Sequence, residues 1–237
     1  ANGDQHWQPN LLSDEAVQHA AAVASRTFTA DSKRLSFSLS MNDSVRYDDS
    51  PATRAAIGPL RYFRRRPDYS NLVFRYVNAI AELVLKQHPD RWLPVHAYYW
   101  CENVPDFVVS HNVIPFLTAD RSRWSFPDFA AEDRDLIQRW CKSGAGIVGV
   151  YDYFEGVPFF CPRPILYTVS QTIPFAYRAG VRAFFAEGEP NWSLDGPKSW
   201  LAAQLLWAPE RSSEELLEIY YREFWSEAGP SMSKFFA

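Results

Sequence analysis

Residues 146–154 read Gly-Ile-Val-Gly-Val-Tyr-Asp-Tyr-Phe. One charged side chain, Asp152, interrupts an apolar and aromatic run that is too short for a helix. Such a run is expected of a strand buried on both faces. Its flanks set the fold class. Before it, residues 132–141 put Leu136, Ile137 and Trp140 at helical spacing. After it, residues 165–179 are helical around Pro174, which is expected to kink or split that helix. A buried strand between two helices is the repeating unit of a parallel α/β fold.

The same alternation extends in both directions. Residues 14–28 form a helix pattern with Ser13 as its cap and Asp14 and Glu15 at the positive end of the dipole. Residues 34–40 alternate as a strand. Residues 44–69 read as a long polar connection holding Arg61, Arg64, Arg65 and Arg66, and a loop of that length is often functional. Such a basic run is usually solvated, and its other reading is a site for phosphate or an anionic sugar. Ser70 is expected to cap a helix over 71–87 whose apolar stripe includes Leu72, Val73, Tyr76, Val77, Ile80 and Val84. Strands follow at 93–100 and 112–118, joined by about a dozen residues, near the minimum for a parallel crossover. Residues 181–187 form the last strand. Pro197 is expected to open a helix that runs to Trp207. Ser212 and Glu215 make a capping box for a final helix ending at Trp225.

A series of short strands and crossovers either closes into a barrel or opens into a doubly wound sheet. No strand is followed by GxGxxG or GxxxxGK[ST], and the chain has only ten glycines, which weighs against a dinucleotide fold. A complete eightfold barrel needs about 250 residues. The expectation is therefore an α/β fold of the (β/α)8 TIM-barrel type: one domain over 1–237 that supplies the C-terminal five or six β/α units. An open barrel exposes an edge and apolar faces, so a missing N-terminal segment or a partner is expected to complete it.

Composition excludes several classes. The 237 residues carry 24 Lys plus Arg against 28 Asp plus Glu, a net charge of −4. That balance argues against a sequence-independent nucleic-acid binder. No apolar run reaches the roughly 18–20 residues of a membrane helix, so no membrane partner is expected. Residues 1–10 show no signal-peptide core, and a cleaved leader would leave no trace. Three cysteines without a CxxC motif give neither a disulfide framework nor a zinc signature. The five histidines form no HExxH, so neither metal nor cofactor is expected. His96, inside a strand, reads as a satisfied core residue.

In parallel α/β folds the reacting groups sit just beyond the C-terminal ends of strands. Those ends offer Asn42 and Asp43, then Trp100, Cys101 and Glu102, then Asp120, then Asp152, Tyr153 and Glu155, then Glu187, Glu189, Asn191 and Trp192. Each carboxylate taken singly is more commonly a cap, a turn or a surface residue. As a set, acidic groups beside aromatic rings suit glycoside hydrolysis, which needs carboxyl groups flanking the sugar bond and platforms for the sugar face. Asp43, Glu187, Asp152 and Glu102 are the catalytic candidates. Asn42, Trp100, Asp120, Tyr153, Asn191, Trp192 and Trp7 are the substrate-binding candidates, with an oligosaccharide as the partner.

Residues 74–78 (Phe-Arg-Tyr-Val-Asn), 89–91 (Pro-Asp-Arg), 96–98 (His-Ala-Tyr), 151–153 (Tyr-Asp-Tyr), 186–188 (Ala-Glu-Gly) and 205–207 (Leu-Leu-Trp) resemble a bacterial family, the domain of unknown function 4838. The resemblance runs from about His6 to the C-terminus. Its members look like glycoside hydrolases, and some are grouped as glycoside hydrolase family 163, endo-β-N-acetylglucosaminidases. The resemblance implies a (β/α)8 barrel preceded by a smaller α/β domain, and retaining hydrolysis with the substrate acetamido oxygen as nucleophile. Related barrels carry an Asp-Glu pair at the fourth strand end. Here that end reads Asn42-Asp43, which leaves Asp43 as the acid and Asn42 to hold the acetamido group. Glu187 matches the family's recurrent acidic position at the last strand. Two rival readings are a catalytically silent carbohydrate-binding protein on the same fold and a thiol enzyme using Cys101.

Overall fold

The computed structural model describes residues 8–44, 46–155, 163, 165–188 and 192–236, with backbone only for 192–194. In chain order the helices are α1 (Asp14–Ala30), α2 (Pro51–Ile57), α3 (Ser70–Leu85), α4 (Pro127–Trp140), α5 (Leu166–Ala179), α6 (Trp192–Trp207), α7 (Ser213–Trp225) and α8 (Gly229–Phe236). The strands are β1 (Tyr62–Phe63), β2 (Arg66–Pro67), β3 (Leu93–Ala97), β4 (Val113–Thr118), β5 (Gly149–Tyr153) and β6 (Ala183–Glu187). Strands β3 to β6 form a four-stranded parallel sheet in the order β3-β4-β5-β6, and β1 pairs with β2 as an antiparallel hairpin. The fold is thus mixed α/β, as residues 146–154 and their flanks led us to expect.

The chain divides into two compact units: residues 1–118 with 138–149, and residues 119–137 with 150–237. In the first unit, α3 buries Leu72, Val73, Phe74, Val77, Ile80 and Val84, the stripe expected of its 3.6-residue period. Phe28 of α1 packs against Phe37, and Trp140 packs on Phe74 with ring centroids 4.9 Å apart. The register Val95↔Pro115 and His96↔Phe116 sets β3 beside β4. Gly149 leaves room for Phe116, whose ring would lie 2.6 Å from any Cβ placed there. In the second unit, Phe154, Ile165, Val169, Ile173, Leu201, Leu205 and Leu216 make the core.

Several expectations shift. Residues 34–40 do not make a regular strand; a single parallel bridge, Ser36↔Trp92, joins this segment to the chain just before β3. Phe37 and Leu39 still donate to the carbonyls of Trp92 and Pro94 at 3.0 and 2.8 Å, so the direction of the segment is that of the sheet. The connection 44–69 is not irregular throughout: it contains α2, capped by Ser50 with Pro51 first, and the β1–β2 hairpin. Helix α3 begins at Ser70 rather than after it, with Tyr69 at the N-cap position, and Asp68 accepts from the Ser70 amide at 3.0 Å in the turn before it. The second strand closes at Ala97, and a 3₁₀ turn covers 99–101. Helix α5 runs through Pro174 as one element. Helix α6 starts at Trp192, leaving Pro197 inside it, where the ion pair of Asp195 with Lys198 spans the same turn. Ser212 caps α7 as expected, and α8 follows where no element was anticipated.

Candidate functional site

In the second unit, the C-terminal ends of the strands carry a dense polar cluster. The chain leaves β4 through Ala119, whose amide donates to the Tyr151 carbonyl at 3.2 Å, and turns through residues 121–125. Asp120 accepts from the Ser122 amide at 3.1 Å and from Arg163 Nη2 at 2.6 Å. Arg163 also donates to Ser122 Oγ at 2.9 Å and to the Tyr153 carbonyl. Arg121 is buried and pairs through Nε with the buried Asp133 at 3.0 Å. Trp124 Nε1 donates to the same carboxylate oxygen at 2.9 Å.

Asp152 is buried beneath this turn and accepts from the backbone amides of Arg121 and Tyr153 at 3.0 and 2.8 Å. Burial pushes its carboxyl above the usual range, against the pull of the Arg121 charge. It therefore ties the turn at residues 121–125 to the end of β5. Beyond it, the buried Lys198 donates to the Phe154 carbonyl at 2.9 Å, to Asp195 Oδ1 at 2.6 Å and to Glu155. One ammonium thus faces two buried carboxylates.

Glu187 stands apart from these pairs. It is half-buried at the end of β6. Tyr151 Oη donates to its Oε1 at 2.7 Å. Its backbone carbonyl receives the amides of Phe154 and Glu155 at 3.0 Å. Among the described residues no cation pairs with its carboxylate. Aromatic surface lies beside it: Tyr151 stacks on Phe185 at 4.7 Å and meets Tyr153 edge-on at 5.6 Å. An apolar cavity of about 410 Å³ lies elsewhere, at the N-terminal end of β6, lined by Ile173, Tyr177, Val181, Phe184, Leu205 and others. It holds no carboxylate and belongs to the other end of the strand.

In the first unit, Asn42 and Asp43 lie exposed beyond the segment that runs beside β3. The buried Gln8 amide donates to the Asn42 and Ser44 carbonyls at 2.6 and 2.9 Å and accepts from the Asn42 amide at 3.2 Å. The backbone around Asp43 is pinned, and its carboxylate is not engaged by any described residue. Glu102 is buried and ion-paired to Arg64, and its carbonyl accepts the Trp140 indole at 2.9 Å. Trp100 belongs to a set of near-parallel rings, 5.1 Å from Tyr69 and 5.8 Å from Tyr47. Burial drives the Tyr47 hydroxyl far above its ordinary pKa. Cys101 is likewise buried, its thiol pushed up to about 11 by desolvation. Burial thus disfavours the thiolate at neutral pH. His96 accepts or shares a proton with Thr118 Oγ1 at 3.0 Å, and burial lowers its pKa.

Of the expected site residues, Asp120, Asp152, Tyr153 and Glu187 are gathered in one unit, and Asn42, Asp43, Trp100 and Glu102 belong to the other. Trp7, Asn191 and the side chain of Trp192 lie outside the described residues. Sequence reading passed over Arg163, Asp195, Lys198, Tyr47, Tyr69 and the Tyr151 hydroxyl. The Tyr-Asp-Tyr alternation of 151–153 did carry a signal for the last: on a strand, Tyr151 must face opposite to the buried Asp152. Among the described residues no group of three or more His, Cys, Asp or Glu is arranged to hold a metal ion. No helix is long and apolar enough to cross a membrane.

A family model described as "Domain of unknown function (DUF4838)" matches residues 2–237, and the chain belongs to that family. No curated protein and no solved structure matches it.

Proposed function

We propose, with family membership as the premise, that the protein is a glycoside hydrolase that cleaves an oligosaccharide. In this reading the sheet belongs to a (β/α)8 barrel, and the relation to glycoside hydrolase family 163 extends to the chemistry. The strand order supports the barrel: β3-β4-β5-β6 runs without the reversal that marks a doubly wound sheet. The observation that carries the activity is the Tyr151–Glu187 pair at the C-terminal ends of neighbouring parallel strands.

A phenol donating to a carboxylate oxygen fixes the orientation of the carboxylate. Glu187 is then poised to stabilise the positive charge that develops at the anomeric carbon. The family resemblance, not their placement, gives Asp43 as the acid that protonates the leaving oxygen and Asn42 as the residue that holds an N-acetyl group, whose oxygen serves as the internal nucleophile; both lie in the first unit. Tyr153 and Phe185 supply apolar surface to the sugar. Asp152 and Glu102, tied to backbone amides and to Arg64, act as positioning residues that keep the strand ends in place.

The test is turnover of reducing-end-labelled N-glycans and of aryl N-acetylglucosaminides. Glu187→Gln and Asp43→Asn are each expected to lower kcat at least about 100-fold, in the range of a lost acid–base group. Tyr151→Phe is expected to fall by less. Normal rates in both carboxylate variants would reject the assignment. A second reading, a silent carbohydrate-binding protein, draws on the engagement of Asp120, Glu155, Asp195 and Glu102 in internal ion pairs. Glycan binding by calorimetry with no product from any substrate would favour it.

A further inference from the structure

The β1–β2 hairpin turns through Arg64 and Arg65, whose φ angles are +49° and +62°. A two-residue turn with both centres left-handed ordinarily takes Asn-Gly, because each bulky side chain there is disfavoured. A third left-handed residue, Tyr99 at +55°, begins the turn after β3. These strained positions are brought together. Arg64 is bolted to the buried Glu102, and the Arg66 guanidinium lies 4.1 Å over the Tyr99 ring. Unfavoured backbone conformations held in place by surrounding contacts recur at active sites and ligand clamps.

The local charge is unbalanced. Arg61 pairs with Asp106 at 2.6 Å and lies 3.7 Å from Asp68, and Arg64 pairs with Glu102. Arg65 and Arg66 meet no carboxylate among the described residues. Beside them the near-parallel rings of Tyr99, Trp100 and Tyr69 form an aromatic wall, with Tyr99 38% exposed. Trp100 Nε1 is buried without a partner among the described residues. Two uncompensated guanidinium groups at the rim of an aromatic wall, past the C-terminal end of a parallel strand, are the chemistry that recognises a carboxylate on a sugar ring.

We infer that Arg65, Arg66, Tyr99 and Trp100 form a subsite for an acidic sugar, a uronic acid residue of the oligosaccharide. The guanidinium groups take the carboxylate, and the exposed Tyr99 edge takes the apolar face of the ring. The inference deepens the glycoside hydrolase reading and rests on it for the word substrate, but the binding itself does not require turnover.

Binding of methyl β-D-glucuronide, methyl β-D-glucoside and inorganic sulfate to the full chain tests it. Titrations are followed by the ¹⁵N resonance of the Trp100 indole, assigned by its loss in Trp100→Phe. The glucuronide is expected to shift that resonance and to bind at least about tenfold more tightly than the glucoside, the scale of one charge-assisted contact. Arg66→Gln and Arg65→Gly should each abolish the preference while leaving the far-UV circular dichroism of the free protein unchanged. Equal affinity for glucuronide and glucoside overturns the inference. So does sulfate binding as tight as glucuronide, which points to a general anion site, and so does a preference that survives both variants. Glucuronide binding with no hydrolysis of any glycan keeps the subsite and rejects the hydrolase instead.

Discussion

The two units handle positive charge in opposite ways. In the second, Lys198, Arg121 and Arg163 are almost completely enclosed, and each is met by carboxylates and carbonyls that leave it nothing to offer outside. In the first, the hairpin directs Arg65 and Arg66 to a surface where no described acid answers them, with Arg65 held there on left-handed backbone. The same residue types serve as internal ties in one place and as an outward-facing pair in the other. What separates the uses is burial and partnership, neither of which the residue type reveals.

The largest effect that would sharpen this contrast comes from Lys198→Met. It strips the counter-charge from the buried Glu155 and Asp195, and a loss of about 3–5 kcal/mol is expected in urea denaturation. Arg66→Gln, which takes a half-buried guanidinium off the Tyr99 ring, should by comparison cost no more than about 1 kcal/mol. Equal losses would break the distinction between tie and outward-facing group.

A smaller effect lies in pH. Burial raises the pKa of Asp152, so its contribution to stability is full below the unfolded value of about 3.9 and is lost as pH rises through its folded pKa. Asp106, in the first unit, is held low by the Asn71 amide and by Arg61. Its contribution is full above the unfolded value and lost as pH falls through the folded pKa. Relative to the parent, Asp152→Asn should therefore gain stability between pH 3 and pH 7, and Asp106→Asn should lose it. Denaturation midpoints across that range measure both, and slopes of the same sign would contradict the assignment.

The smallest effect is a gain. Arg65→Gly relieves the left-handed penalty at the hairpin tip, offset by the freedom glycine adds to the unfolded chain. A net stabilisation of roughly 0.5–1 kcal/mol is expected by thermal or chemical denaturation. A loss of stability would mean that the Arg65 side chain holds the hairpin together.

The elements most legible in the sequence were those whose signal is local. The apolar stripe of α3, the capping box of Ser212 with Glu215 and the run 146–154 each state their structure within a few turns of chain. The β1–β2 hairpin was missed because Arg64-Arg65 stands where turn chemistry calls for Asn-Gly. The fate of the candidate carboxylates was not legible either. Asp152 is met by an amide 31 residues away, and Glu102 by a guanidinium 38 residues away. Reading strand ends found these acids but not what they touch. The stack of Tyr47, Tyr69 and Trp100 draws on three separate segments, so no local pattern announced it.

Helix α4 runs from the second unit into the first, and Trp140 is its last residue. That indole fills the space against Phe74 and caps the Glu102 carbonyl. During synthesis, a nascent chain that has emerged only as far as Thr118 already contains α1, α3, β3 and β4 but not this wedge. The first unit must wait on the ribosome for some twenty further residues, the start of its neighbour, before its own interior can close.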